Sequence, residues 1–172
     1  MLPSDDMTQV QEPRRLPTAK DFPPSGPFSL AAPGPRFGAR ALDLALIAMP
    51  GLIVLAATAT TVDRQLELHV PAWLGPTLIA LGVVYEFVCV SIAGRTLGKI
   101  LLGLKVVRYT DGRRPTPVQS LLRALLPWST LALPLGPFVI GAFLLVYGSG
   151  VSGDLHRGLP DQAGGTLVIS TR

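Results

Sequence analysis

Three long apolar stretches, separated by polar and charged segments, dominate the pattern along this chain. The first covers about residues 41–61 and the second about residues 74–93. A helix of about twenty residues, rising 1.5 Å per residue, crosses the roughly 30 Å of hydrocarbon in a bilayer. Each carries one acidic residue and no basic one, so the pattern predicts two helical membrane spans.

The third apolar region, about residues 121–147, allows two interpretations. It is long enough for one tilted span, but Pro127, Pro134 and Pro137 interrupt it. Proline removes a helical hydrogen bond and clashes with the preceding turn. One interpretation is a single broken helix with the C-terminus outside the cell. The other is a hairpin of two short helices that brings the C-terminus back inside.

Two short segments outside the apolar stretches are rich in strand-forming residues. Residues 104–109 read LKVVRY and precede an Asp-Gly turn, and residues 165–170 read GTLVIS. If they pair, both must lie in one compartment, which favours the hairpin. The predicted fold is therefore an all-α membrane protein with about three apolar helical segments and a small cytoplasmic β-hairpin or sheet.

The first 35 residues differ from the rest of the chain. They contain few large apolar residues and many prolines, so they cannot bury enough surface to offset the entropy of ordering. We predict a disordered, proline-rich cytoplasmic tail over residues 1–35, followed by a membrane domain over residues 36–172. The apolar core of a signal peptide is missing near Met1, so no cleaved leader is expected.

The charges indicate orientation. Apolar residues make up 48% of the chain and charged residues only 15%, with a net charge of +4. Basic residues cluster before the first span and after the second, as in cytoplasmic loops. We therefore expect a multi-pass protein of a bacterial plasma membrane with a cytoplasmic N-terminus. Without interleaved aromatic residues, nucleic acid is not expected as a partner. The basic residues expected to contact anionic lipid are Arg95, Lys99, Lys105 and Arg123.

Charged residues inside the predicted spans are the candidates for function. Arg36, Arg40 and Asp43 fall on one helical face, and Glu86 lies more than halfway along the second span. A carboxylate inside a bilayer costs about 2.5–3.5 kcal/mol, and pairing Asp43 with an arginine would lower that cost. Asp43 and Glu86 are therefore candidates for an intramembrane ion or proton site. The alternative is that both are structural and fix helix packing.

Other chemistry finds little support in the residues. Cys89 is the single cysteine, and His69 and His156 lack a second ligand at metal-binding spacing. No motif combines a nucleophile with a base, and no phosphate-binding loop is present. We therefore expect a protein that is not an enzyme and uses no metal or cofactor.

Three motifs in order resemble the RDD family of small bacterial membrane proteins. Arg36 to Asp43 match the pattern R-x-x-A-x-x-x-D, and residues 94–107 resemble the family's glycine-rich basic loop. Asp161 corresponds to the second aspartate, although four residues separate it from His156, where the family places histidine directly before aspartate. Arg123 lies where the family often has an arginine.

The resemblance implies a membrane protein whose molecular function is uncertain. Monovalent cation/proton exchange has been proposed for some members, which suggests a small transporter or transporter subunit. Three thin segments can hardly enclose a path, so transport implies a homo-oligomer or a larger membrane partner. The alternative is an accessory protein that docks a partner or anionic lipid, with Arg36, Asp43 and Asp161 structural.

Overall fold

Two long helices form the main body of the molecule. The structure, a computed structural model, describes residues 15–62, 65–133 and 138–172. Helix α1 covers Pro33–Thr58 and begins with a proline, whose fixed φ suits the first helical position. Helix α2 covers Leu74–Ala93. The next residue, Gly94, caps the helix: it takes a left-handed φ of 69° and donates its N–H to the Val90 carbonyl.

Both helices match predicted spans. Of the residues that the structure describes, α1 and α2 are the two helices long and apolar enough to cross a membrane. Between them lies a hairpin that the hydrophobic pattern does not predict. Strand β1 (Ala59–Val62) pairs antiparallel with β2 (Gln65–Leu68), so that Ala59 lies opposite Leu68.

The remaining chain folds around the end of the molecule where α1 begins. A short helix α3 (Leu97–Leu101) precedes strand β3 (Leu104–Arg108). Helices α4 (Pro117–Thr130), α5 (Phe138–Gly148) and α6 (Leu159–Ala163) follow, and strand β4 (Thr166–Ser170) is the last element. The overall fold is mostly helical, with two small antiparallel sheets.

The two strand-forming segments pair, which is the condition that favoured the hairpin interpretation. β3 and β4 run antiparallel, with Leu104 opposite Ser170 and Arg108 opposite Thr166. Paired strands must lie on the same side of any membrane, so β4 shares a side with the basic segment after α2.

The third apolar region does not form one continuous span. α4 ends at Thr130 and α5 begins at Phe138, so the helix over residues 121–147 is broken. Pro134 and Pro137, two of the three prolines that interrupt this region, lie outside the described residues. α5 has 11 residues and is about 16 Å long, about half the thickness of the hydrocarbon core.

The end of the predicted tail packs on the small sheet. Phe28 donates its backbone N–H to the Ser170 carbonyl at 2.9 Å, and Ala31 donates to Val168 at 3.1 Å. Ala31 is buried in a cluster with residues of β3 and β4. The ordered domain therefore starts before residue 36, because these residues extend the β3–β4 sheet. Residues 1–14 lie outside the described residues, and their predicted disorder stays a prediction.

Close packing joins α4 to α2. Trp128 is 2% exposed, and its indole lies directly against Gly82 of α2, where any side chain would overlap the ring. This approach brings the polar face of α4 next to the C-terminal half of α2. Charged residues from α1, α2, α3, α4 and α6 consequently meet in one place.

Candidate functional site

Asp43 caps the short helix α3. Its carboxylate is 1% exposed and accepts hydrogen bonds from the Thr96 hydroxyl at 2.6 Å and the Gly98 N–H at 2.9 Å. The Tyr85 hydroxyl donates a third at 2.7 Å. Thr96 is itself the N-cap residue of α3. A carboxylate is well placed there, because the first N–H groups of a helix lack internal acceptors and the helix dipole favours negative charge.

The expected pairing of Asp43 with an arginine is wrong within the described part of the chain. Arg36 and Arg40 share its helical face, as predicted, but each of them pairs with an acidic group elsewhere. Hydroxyl and backbone donors satisfy Asp43 instead. They satisfy a buried carboxylate without a second charge having to be buried beside it.

Gly98 makes the cap possible by its small size. A Cβ at this position would overlap the Ala39 carbonyl oxygen and would lie 3.0 Å from the Asp43 carboxylate. α3 therefore lies directly on the backbone of α1, with Ala39 fully buried between them.

Glu86 lies among three cations. It is 1% exposed, and its carboxylate accepts a hydrogen bond from Arg40 at 2.7 Å and another from the Trp128 indole N–H at 3.1 Å. Lys99 Nζ and Arg123 Nε lie 3.9 Å from its other oxygen. These cations come from α1, α3 and α4, so this single carboxylate connects α2 to three elements.

Aromatic rings surround the guanidinium of Arg40. Its carbon lies 4.8 Å from the centroid of Trp128, 4.7 Å from Tyr147 and 5.8 Å from Phe143. Arginine stacks favourably on aromatic faces, especially where water is excluded. The ion pair with Glu86 is thus enclosed by α4 and α5.

Asp161 joins the start of α1 to the C-terminal segment. Arg36 donates to its carboxylate at 3.0 Å, and Arg123 forms a second ion pair with it. Arg36 also donates to the backbone carbonyls of His156 and Val168. The structure therefore brings Arg36 and Asp161 together and places Asp43 apart from them, in the α3 cap.

Two of the four residues expected to contact lipid are buried. Lys99 and Arg123 are 7% and 6% exposed and turn inward, because Glu86 and Asp161 attract them. Arg95 and Lys105 are half-buried. Burial lowers the pKa of Lys99 to about 8, and the negative charge of Glu86 opposes this shift.

The RDD family model matches residues 30–165, which is 136 of the 172 residues. The chain belongs to the RDD family. No curated protein and no solved structure matches it. The RDD domain and the two apolar helices together indicate a membrane protein.

Several important partners in this RDD domain were not predicted. Thr96 had a recognisable signal, because a threonine ahead of a Leu-Gly-Lys helix start is a common N-cap. Tyr85 and Trp128 had none, since aromatic residues in apolar segments usually indicate core packing or an interface. Only the fold shows that their polar atoms point at Asp43 and Glu86.

Proposed function

We propose that this RDD protein is a non-catalytic accessory protein of a bacterial plasma membrane, with its charged residues serving to hold its helices together. It crosses the membrane more than once, with the N-terminus and the β3–β4 sheet in the cytoplasm. In this role the protein docks a larger membrane partner or a second copy of itself.

The observation that carries the proposal is the use of all three buried carboxylates in the described part of the chain as structural acceptors. Asp43 accepts three hydrogen bonds, Glu86 accepts two, and Asp161 pairs with two arginines. A carboxylate that binds and releases a cation needs free oxygen lone pairs facing a path. Here donor groups of neighbouring helices contact the carboxylates where a cation would have to bind.

The basic residues support the cytoplasmic orientation. Arg36 and Arg40 at the start of α1 lie at the same end of the molecule as Lys99, Lys105 and the β3–β4 sheet. Positive residues accumulate on the cytoplasmic side of membrane proteins.

Monovalent cation/proton exchange is the second candidate function. The observation that favours it is the burial of Asp43 and Glu86 within α1 and α2, where acidic residues are rare and often functional. In that case a cation would replace Arg40 or Lys99 at Glu86 during the cycle, and an oligomer would enclose the path.

Asp43→Asn separates the two functions when flux and stability are measured on the same preparations. The accessory role predicts no cation-dependent proton flux in proteoliposomes of either protein. It also predicts that the unfolding free energy of Asp43→Asn falls by about 1–2 kcal/mol. The single oxygen of the asparagine amide cannot accept the hydrogen bonds of both Thr96 and Gly98. Leu46→Asn, on an exposed position of the same helix, serves as the matched control.

Flux in the wild type that disappears in Asp43→Asn but persists in Leu46→Asn, with both variants folded, would overturn the accessory role. The exchange function would then be the better explanation. Unchanged stability of Asp43→Asn would also count against a structural Asp43.

A further inference from the structure

A small cavity opens beside the charged residues at the start of α1. It encloses about 50 Å³, and Arg36, Arg40, Lys99 and Arg123 all line it, together with Asp161. A single water needs only about 10–15 Å³ of such space. The cavity therefore has room for a group of a few heavy atoms, such as a phosphate.

Positive charge exceeds negative charge around this cavity. Three buried carboxylates, Asp43, Glu86 and Asp161, lie near four cationic side chains, which leaves an excess of one positive charge. The four cations are Arg36, Arg40, Lys99 and Arg123. Three of the four are less than a tenth exposed. Burying unbalanced charge is unfavourable, so an anionic group in the cavity would stabilise the site.

Several guanidinium N–H groups have no acceptor among the described residues. They are Nε of Arg36, Nε and Nη2 of Arg40, and Nε of Arg123, and all four atoms are buried. The aromatic rings explain why the faces of Arg40 are covered, but they do not provide an in-plane acceptor for its edge. Guanidinium edges match the spacing of the oxygens in phosphate and carboxylate groups.

We propose that this cavity binds an oxyanion of the phosphate type, supplied by an anionic phospholipid headgroup or by free phosphate. Arg36 and Arg40 lie three and seven residues into α1, about 5 and 10 Å along the helix from Pro33. The 26 residues of α1 are about 39 Å long, against about 30 Å of hydrocarbon, so a helix centred in a bilayer would place Arg36 near the level of the headgroup phosphates. The inference uses the same residues as the proposed function but does not depend on its docking partner.

The first test titrates the purified full-length protein in neutral detergent with inorganic phosphate, using calorimetry. Lys99→Gln should weaken binding at least about tenfold, because it removes one of four cations from the cavity. Lys99 is the best position to change, since each of the other three cations has an ion pair of 3.0 Å or less, whereas Lys99 Nζ lies 3.9 Å from Glu86. Arg113→Gln removes an equal charge from an exposed turn and should leave binding unchanged.

The second test identifies the source of the phosphate. The protein is reconstituted into nanodiscs of phosphatidylcholine with or without phosphatidylglycerol, and the retained lipid is measured by native mass spectrometry. Retention of phosphatidylglycerol by the wild type, and less of it by Lys99→Gln, assigns the site to a headgroup. Phosphate binding without lipid retention assigns it to the free anion. Either result supports the oxyanion site.

The site is ruled out if the wild type neither binds phosphate at millimolar concentration nor retains phosphatidylglycerol above phosphatidylcholine. It is also ruled out if folded Lys99→Gln binds as tightly as Arg113→Gln. Should Lys99→Gln fail to fold, Lys99→Arg must keep the affinity within about threefold, and the wild-type measurements still decide. None of these results depends on proton flux, so the site and the accessory role can fail separately.

Discussion

At the end of α1 near Pro33, buried polar side chains from five elements meet, whereas at the end near Thr58 the helix exposes apolar side chains. All the buried residues of α1 lie between Ala39 and Gly51. Beyond Gly51 both Leu52 and Ile53 are at least 60% exposed. The start of α2 is similarly exposed, because Trp73, the residue directly before the helix, is 56% exposed.

The difference shows what determines the structure at each end. Lipid is as apolar as leucine, so apolar side chains alone do not hold helices together within a bilayer. At the charged end, hydrogen bonds and ion pairs hold the helices together, and each of these contacts joins defined partners. Helix packing at the apolar end depends on whether lipid, a second copy of the chain or another protein surrounds it.

Asp161→Asn should disturb the charged end most. It leaves Arg36 and Arg123 without their shared carboxylate, and removing one partner of a buried pair typically costs about 3–5 kcal/mol. Thermal unfolding in detergent would measure this loss. Asp111→Asn is the control, because its pair with Arg108 is partly exposed and should contribute about 1 kcal/mol or less. Equal losses in the two variants would contradict the ranking.

Gly98→Ala should have the next largest effect. The added methyl group overlaps the Ala39 carbonyl, so α3 must move away from α1 and weaken the Asp43 cap. We expect a loss of about 1–3 kcal/mol in unfolding free energy. Gly141→Ala, on a helix surface with nothing near the new methyl, should be neutral or slightly stabilising. A neutral Gly98→Ala would mean that α3 does not lie on α1.

The titration of Lys99 sharpens the comparison at the charged end. Burial lowers its pKa to about 8, while Glu86 and Asp43 raise it and Arg40 and Arg123 lower it further. Its pKa in the unfolded chain is near 10.5, so the unfolded state binds more protons between pH 8 and 10.5 and stability rises with pH there. Lys99→Gln should remove this rise from a plot of unfolding temperature against pH.

Phosphate binding should change in the opposite direction over the same range. As Lys99 loses its proton above pH 8, the cavity loses a positive charge and phosphate affinity should fall. Calorimetry at pH 8 and pH 10, where the phosphate is a dianion at both values, would show the difference. Stability and affinity that rise together would contradict the assignment of Lys99 to both roles.

Ile53→Ala should have the smallest effect. The side chain is 66% exposed at the apolar end, so the change in detergent should be within about 0.5 kcal/mol. Ile47→Ala, 6% exposed on the same helix, should cost clearly more, about 2 kcal/mol. A large effect of Ile53→Ala on the stability of a purified oligomer would instead place the position in an interface between copies.

The sequence was sufficient for the elements that depend on local pattern. Both long apolar helices follow from the length of the apolar stretches, and strands β3 and β4 each follow from a short run of strand-forming residues. The shared helical face of Arg36, Arg40 and Asp43 is also real. Such features depend on periodicity, which a single sequence displays.

The choice of partners could not be predicted. Periodicity places Asp43 on a face but does not show that α3 folds back onto Ala39 and offers its N–H groups. Likewise, the sequence places Glu86 in an apolar segment but does not show that Arg40, Lys99 and Arg123 surround its carboxylate. These contacts join segments more than ten residues apart, so no local pattern encodes them. The ion-site role of Asp43 and Glu86 stays a prediction.

The pair formed by Arg36 and Asp161 has a consequence for synthesis, because 125 residues separate its members. At about 5–20 residues per second, a ribosome needs roughly 6–25 s between making the arginine and making its partner. During that time Arg36 lacks its carboxylate partner. A nascent chain that terminates before Asp161 never forms the pair, so the start of its first helix stays without the contact that joins it to the C-terminal segment.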